Sequence, residues 1–499
     1  MKPRITRRDV LHAALALPAA GVLAGCASRA VGLATAGPTA DLDATATAAA
    51  IRTGEFTARE AVEAAIRRAQ ALEPRLNAIV TEAWDRARAT AAAPPDGPFA
   101  GVPTFIKDLE DVRGLPTRYG SRSFGQSPAT VQGPYVDALE RGGLVILGKS
   151  ATPEFGFTAS TEPLLDAPTR NPWNPDHSTG GSSGGAAALV AARVVPVANA
   201  TDGGGSIRIP ASCCGLFGLK PSRGRNVTTG DPVGPVEIAV SHTVTISVRD
   251  SAQWLALTEQ TGADAVYAPM GLVHGPGSRR LRIALDLEPL LGNPLDGEVR
   301  AAIEDTARRC ESLGHRVEVA PLPLAKREFM EAFLVYWASG AAQVADGLAQ
   351  RLRRAPTDAD LEPWTLGLAK FFRERQDRFE PALASLKASS TVCEQFFAKY
   401  DVLLTPVISR LPPRIGELAP DLPFETHYER VTSLVGFTPI HNAAGTPAMS
   451  VPLHWSKSGL PIGSQFAAKA GDERTLLELA YELEAAHPWA GRRPPIAAT

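Results

Sequence analysis

Between Ser178 and Gly224 the chain reads STGGSSGGAAALVAARVVPVANATDGGGSIRIPASCCGLFGLKPSRG, with two serine clusters set among glycines. Glycines around a serine open backbone conformations closed to other residues and leave bare amides free to approach a ligand closely. Such segments belong in tight turns between regular elements. The run Gly203, Gly204, Gly205, Ser206 can aim several N–H groups at one point, which suits an oxyanion developing on a substrate. One donor of this kind commonly contributes about 3 kcal/mol of transition-state stabilisation. Phosphate cradles use similar amides, but the run lacks the G-K-[ST] ending of a P-loop.

A serine hydroxyl is a weak nucleophile until a base takes its proton. The nine histidines are scattered, and His177, the nearest to the first serine cluster, has no visible aspartate partner. Neither H-E-x-x-H nor C-x-x-C occurs, so no metal and no cofactor is expected. A lysine can serve as base if it is held neutral, which requires its pKa to fall from about 10.4 through burial or positive neighbours. Lys107 in VPTFIKDLED ends an apolar run and would sit at the tip of a buried strand.

The chain resembles the amidase-signature family in three ordered segments: the K-D strand end at Lys107, the G-G-S-S-G-G segment holding Ser182, and the G-G-S-I-R-x-P segment holding Ser206. Ser206 follows Ser182 by the family's 24 residues, which selects Ser182 over Ser183. The resemblance extends from about Asp41 to Pro495 and includes the late FTPIHNAAGTPAMSVPLHWSKSGLPIGSQF. It implies Ser206 as nucleophile, Ser182 as proton relay, Lys107 as terminal base and a cis Gly181–Ser182 peptide. Oxyanion donors would come from Gly203, Gly204, Gly205 and Ser206, with Asp202 and Arg208 bracing the loop. The expected activity is hydrolysis of a carboxamide in a small molecule. Gly203 stands where many members carry a larger or polar residue, and this variant looks like the branch that contains 6-aminohexanoate cyclic-dimer hydrolase, suggesting a neutral or lactam-like amide.

Two other readings share these residues. Gly180–Gly184 also satisfies the G-x-S-x-G elbow of α/β-hydrolases, in which Ser182 would attack with His441 or His454 as base. The amidase subunit of a tRNA-dependent amidotransferase carries the same triad, although an exported chain would lack charged tRNA and ATP.

Export is suggested by the first residues. Lys2, Arg4, Arg7 and Arg8 precede a mostly apolar run from Val10 to Ala24 that is too short to span a bilayer comfortably. TRRDVL resembles a twin-arginine motif, and LAGC resembles a lipobox ending in Cys26 as the lipidated residue. Residues 1–25 are therefore read as export signal and 26–40 as a tether of small residues; a lipid on Cys26 would be the sole membrane attachment, and a signal that is simply cleaved without lipid is the other reading. The remaining cysteines are too few for a disulfide scaffold; Cys213 and Cys214 read as small buried hydrophobes, and Cys310 and Cys393 fall in helical patterns.

Residues 41–499 are read as one large domain of α/β class, a mixed, mostly parallel sheet covered by helices. Thr57–Leu72 has a capping box and one apolar face, and LRIALDLE, the helix Asp296–Gly314 and HRVEVA form a βαβ unit. YDVLLTPV reads as another strand and DERTLLELAYELEAAH as a final helix. The helix-rich stretch Leu324–Lys399 carries Phe329, Phe333, Tyr336, Trp337, Trp364, Phe371 and Phe372, open to either core or pocket wall, with core favoured. A net charge of −2 over 499 residues offers no basic footprint for nucleic acid, and the oligomeric state is left open.

Overall fold

In the computed structural model, residues 39–125, 127–227 and 236–498 are described. The export signal, Cys26 and nearly all of the tether lie outside these residues.

Two sheets carry the architecture. The smaller has the order β1 (Ile79–Glu82), β3 (Val145–Ser150), β2 (Pro103–Lys107), with β2 parallel and β1 antiparallel to β3. The larger has eight strands: β6 (Val197–Asp202), β7 (Phe217–Lys220), β8 (Val240–Thr245), β9 (Arg282–Leu285), β10 (Arg316–Val319), β11 (Val402–Pro406), β12 (Ala448–Trp455) and β13 (Pro461–Ala467). Their order is β10-β9-β11-β13-β12-β7-β8-β6. A short hairpin, β4 (Arg170–Asn171) with β5 (Asn174–Ser178), leads into the first serine segment.

The expected βαβ unit is present. β9 and β10 pair in parallel around the helix Gly297–Ser312, whose start is capped by Asp296 accepting from the amides of Glu298 and Val299. β11 joins β9 in parallel as well. The sheet is mixed, as expected, but its balance is a correction: the pairs β11–β13, β13–β12, β12–β7, β7–β8 and β8–β6 are all antiparallel. Parallel neighbours need a crossover of a dozen or more residues. The sequence offers one clear crossover, at 286–315, whereas β12 and β13 are joined by a turn too short for anything but a hairpin.

The capping box forms as read, with Thr57 Oγ1 accepting from the Glu60 amide at 3.1 Å and the Glu60 carboxylate accepting from the Thr57 amide at 2.7 Å. The helix runs Ala58–Leu76, and its apolar face of Val62, Ala65, Ile66, Ala69 and Leu72 is buried. The main core lies where Phe217, Ile283, Leu404, Met449 and Phe466 of the large sheet meet Ile303, Leu476 and Leu483 of two covering helices. A second core packs the helices Lys326–Leu352 and Phe379–Phe397 against the sheet's other side through Phe329, Leu386, Cys393 and Leu403. Side-chain to backbone bonds from Thr104 to Val197 (3.1 Å) and from the Lys107 amide to Asn199 (3.0 Å) tie β2 to β6, placing two strand ends side by side.

Candidate active site

Lys107 closes β2, whose five residues are all buried. Its Nζ lies 2.7 Å from Ser182 Oγ and 2.9 Å from Thr201 Oγ1. Removal from water lowers its pKa to about 7, against the opposing pull of the Asp202 and Glu110 carboxylates. A substantial fraction of neutral amine therefore exists near neutrality, with a lone pair available beside a serine hydroxyl.

Ser182 sits in the turn between β5 and the helix Gly184–Ala191, and the Gly181–Ser182 peptide is cis, as the resemblance implied. Glycine at 181 is dictated by close packing, since a Cβ there would stand 2.4 Å from Ser160 O. Ser183 takes a different part. Its Oγ donates to Thr201 O and accepts from the Thr201 amide, each at 3.2 Å, which fastens the turn to β6. Ser182, not Ser183, thus faces the lysine.

Ser206 follows β6 in the turn before the helix Arg208–Cys214. Asp202, the last residue of β6, organises this turn. Its carboxylate accepts from the Gly205 amide at 2.7 Å and the Ile207 amide at 3.1 Å, and it receives Nε and Nη2 of Arg208 at 2.9 Å each. Burial would raise the Asp202 pKa, but the charge and hydrogen bonds of Arg208, with Lys220 and Asn442 behind them, carry it well below the usual carboxylate range. Arg208, fully buried, continues to Thr438 O (3.0 Å), Gln465 Oε1 (2.8 Å) and Asn442 Oδ1 (2.7 Å). The bracing expected of Asp202 and Arg208 is in place.

One expected oxyanion donor is corrected by this arrangement. The Gly205 amide is committed to Asp202, so it cannot also point at a substrate. Gly205 serves instead by its conformation: φ is +134°, and a Cβ would stand 2.4 Å from Thr438 Oγ1. Among the described residues the amides of Gly203, Gly204 and Ser206 have no hydrogen-bond partner. The Ser206 hydroxyl also has none there, and no hydrogen bond joins it to Ser182.

Ser206, Gly204 and Gly181 open on an apolar cavity walled by Phe157, Phe333, Leu334, Trp337, Trp364 and Val435, and none of its lining residues is charged. The aromatic series in the helix-rich stretch is divided between roles. Phe333, Trp337 and Trp364 form pocket wall; Phe329 and Tyr336 are core, with Phe371 and Phe372 packed against it. Both indole N–H groups donate to one carbonyl, Phe157 O, at 3.2 Å from Trp337 and 3.1 Å from Trp364. The tryptophans therefore offer the cavity no free N–H donor.

The histidines named for the elbow reading are engaged elsewhere. His441 Nδ1 is bonded to Thr446 Oγ1 at 2.9 Å and His454 Nε2 to Thr306 Oγ1 at 3.0 Å, and among the described residues no histidine bonds Ser182. Cys213, Cys214, Cys310 and Cys393 are buried free thiols, as read.

Thr201, Thr438, Asn442 and Gln465 take part in the site and were not singled out from the sequence. The last three do stand out as polar residues within the apolar run FTPIHNAAGTPAMSVPLHWSKSGLPIGSQF, and buried polar groups need partners.

The family model described as Amidase matches residues 60–477. A Mycobacterium bovis protein provisionally named amidase AmiC is 43% identical over 459 residues, covering 91% of this chain and 96% of its own. The 6-aminohexanoate-cyclic-dimer hydrolase of Pseudomonas sp. strain NK87 is 36% identical over 480 residues, covering 91% and 96%. Among solved structures, 6-aminohexanoate cyclic dimer hydrolase complexed with substrate aligns with a TM-score of 0.84 at 32% identity, covering 92% of this chain and 99% of that one. The serine segments, the buried lysine, the eight-stranded mixed sheet and this likeness along the chain together place the protein in the amidase family of amide hydrolases.

Proposed function

We propose that the protein hydrolyses a neutral carboxamide, linear or cyclic, through an acyl-enzyme on Ser206. The observation that carries this reading is the 2.7 Å contact between a buried lysine nitrogen, its pKa lowered to about 7, and Ser182 Oγ, beside the cavity onto which Ser206 opens.

Lys107 takes the Ser182 proton as Ser182 takes that of Ser206, and the Ser206 oxygen bonds to the amide carbon. The resulting oxyanion lies against the free amides of Gly203, Gly204 and Ser206. The relay then runs backwards, the leaving nitrogen receives the proton, and the C–N bond breaks. Water, activated by the same relay, adds to the ester and releases a carboxylic acid. Ser206 and Ser182 are not hydrogen-bonded in this structure, and the relay requires that contact to form when substrate arrives; such contacts often tighten only in the complex. The uncharged cavity wall supports a neutral substrate, and the named activity of the cyclic-dimer hydrolases supports including lactam-like amides.

A fluorophosphonate probe followed by peptide mapping tests this reading. Label on Ser206, lost in Ser206→Ala, is the expected result; label on Ser182 would favour the elbow mechanism. Turnover is sought among aryl anilides, fatty amides, peptide amides and cyclic lactam dimers.

A further inference from the structure

The segment after β3 passes directly beside the relay serine: a Cβ on Gly156 would stand 3.0 Å from Ser182 Oγ. Two residues on, Thr158 lines the same cavity as Ser206 and Gly181. Its hydroxyl belongs to a chain whose proton positions follow from the partners. His427 Nδ1 lies 3.1 Å from Ala419 O, a carbonyl that can only accept, so the ring proton sits on Nδ1. His427 is buried and has no carboxylate partner among the described residues, so the ring is neutral and Nε2 is an acceptor. Thr158 Oγ1, 2.8 Å from Nε2, must therefore donate its single proton to the ring. Trp364 stacks on the imidazole at 4.0 Å with an interplanar angle of 13°, which holds this orientation. What Thr158 has left to offer is oxygen lone pairs.

Collapse of the tetrahedral intermediate makes a demand that such an oxygen meets. The amide nitrogen becomes pyramidal, and its lone pair has to face the Ser182 hydroxyl to collect the proton. The N–H is thereby turned away from Ser182 and needs an acceptor close by. Building on the acyl-enzyme reading above, we propose that Thr158 Oγ1 accepts the N–H of the scissile amide, and that the Thr158–His427–Ala419 chain is the element by which the site favours amides over esters of the same acid. An ester has no hydrogen to place there. A tertiary amide has none either.

The test compares hexanoyl p-nitroanilide with hexanoyl p-nitrophenyl ester on the wild type, Thr158→Val and Thr158→Ser. Thr158→Val is expected to lower kcat/KM on the anilide roughly 10- to 100-fold, with the loss in kcat, and to leave the ester within about 2-fold. Thr158→Ser, which keeps the hydroxyl, should return the anilide to within a few-fold of wild type. Ester turnover reports on folding in every variant. An equal fall on both substrates, or no fall on the anilide, would overturn the role of Thr158 while leaving the amidase reading intact. A wild type that turns over neither compound and takes no label on Ser206 would overturn that reading, and this inference with it.

Discussion

Lys107 Nζ stands 2.7 Å from Ser182 Oγ and, among the described residues, forms no ion pair. Its neighbour in the small sheet shows the contrast. Lys149, on β3 and as deeply buried, is paired with Asp108 at 3.1 Å. A buried ammonium is tolerated when a carboxylate meets it, and a buried lysine without one is pushed towards the neutral amine. One strand pair thus carries a lysine suited to structure and another suited to taking a proton.

The pH dependence follows from this difference. Because the Lys107 pKa is lowered to about 7, kcat/KM should climb as the amine loses its proton and level off above that pH. Steady-state rates on a neutral anilide from about pH 5 to about pH 9 would show one acid limb, assigned to the free enzyme. Lys107→Met should lower kcat by roughly 100- to 10,000-fold and abolish the limb. A limb that survives the substitution would assign the base elsewhere.

Asp202 and Arg208 predict a stability effect. Removing one member of a buried pair leaves an uncompensated charge at a cost of about 3–5 kcal/mol. Arg208→Met should lower the urea midpoint accordingly and remove Ser206 labelling. The linkage has a defined sign. The Asp202 pKa is depressed in the folded protein, so its contribution is complete above the ordinary aspartate pKa of about 3.9 and is lost as pH falls below it. Acid titration of unfolding would show this loss in the wild type and a weaker one in Asp202→Asn.

Pocket polarity predicts selectivity. With no charged lining residue and both indole N–H groups bound to Phe157 O, a carboxylate on the acyl group would lose its water without compensation. Hexanoyl anilide should exceed succinyl anilide by at least about 100-fold in kcat/KM, the two being compared at equal concentration.

We propose that the mature chain is exported and carries lipid on Cys26. Intact-mass analysis of membrane fractions should find the diacylglyceryl-modified cysteine, and Cys26→Ser should move activity to the soluble fraction. A mature chain that is unmodified and freely soluble would sink this proposal.

The chemistry was more legible than the architecture. Lys107, Ser182 and Ser206 were brought together by the resemblance to the amidase-signature segments; glycines beside a serine and a lysine ending an apolar run are local signals that made each a candidate without linking them. Helix starts were legible for the same reason, as Thr57 with Glu60 shows. Strand direction was not, since pairing partners such as β7 and β12 lie far apart in sequence and the pattern of one strand does not specify its neighbour. The fate of Gly205 was equally hidden. Four adjacent small residues look alike in sequence, and only the position of the Asp202 carboxylate decides which amide it occupies.

The reach of Arg208 has a consequence for how the protein matures. Its guanidinium joins the turn before it to Asn442 and to Gln465 on β13, 257 residues further along the chain. A ribosome must therefore release nearly the whole polypeptide before the turn that holds Ser206 gains these partners. Chains that end before β13 lack the Gln465 partner of Arg208, and the set of bonds holding this turn is complete only as the last hairpin docks.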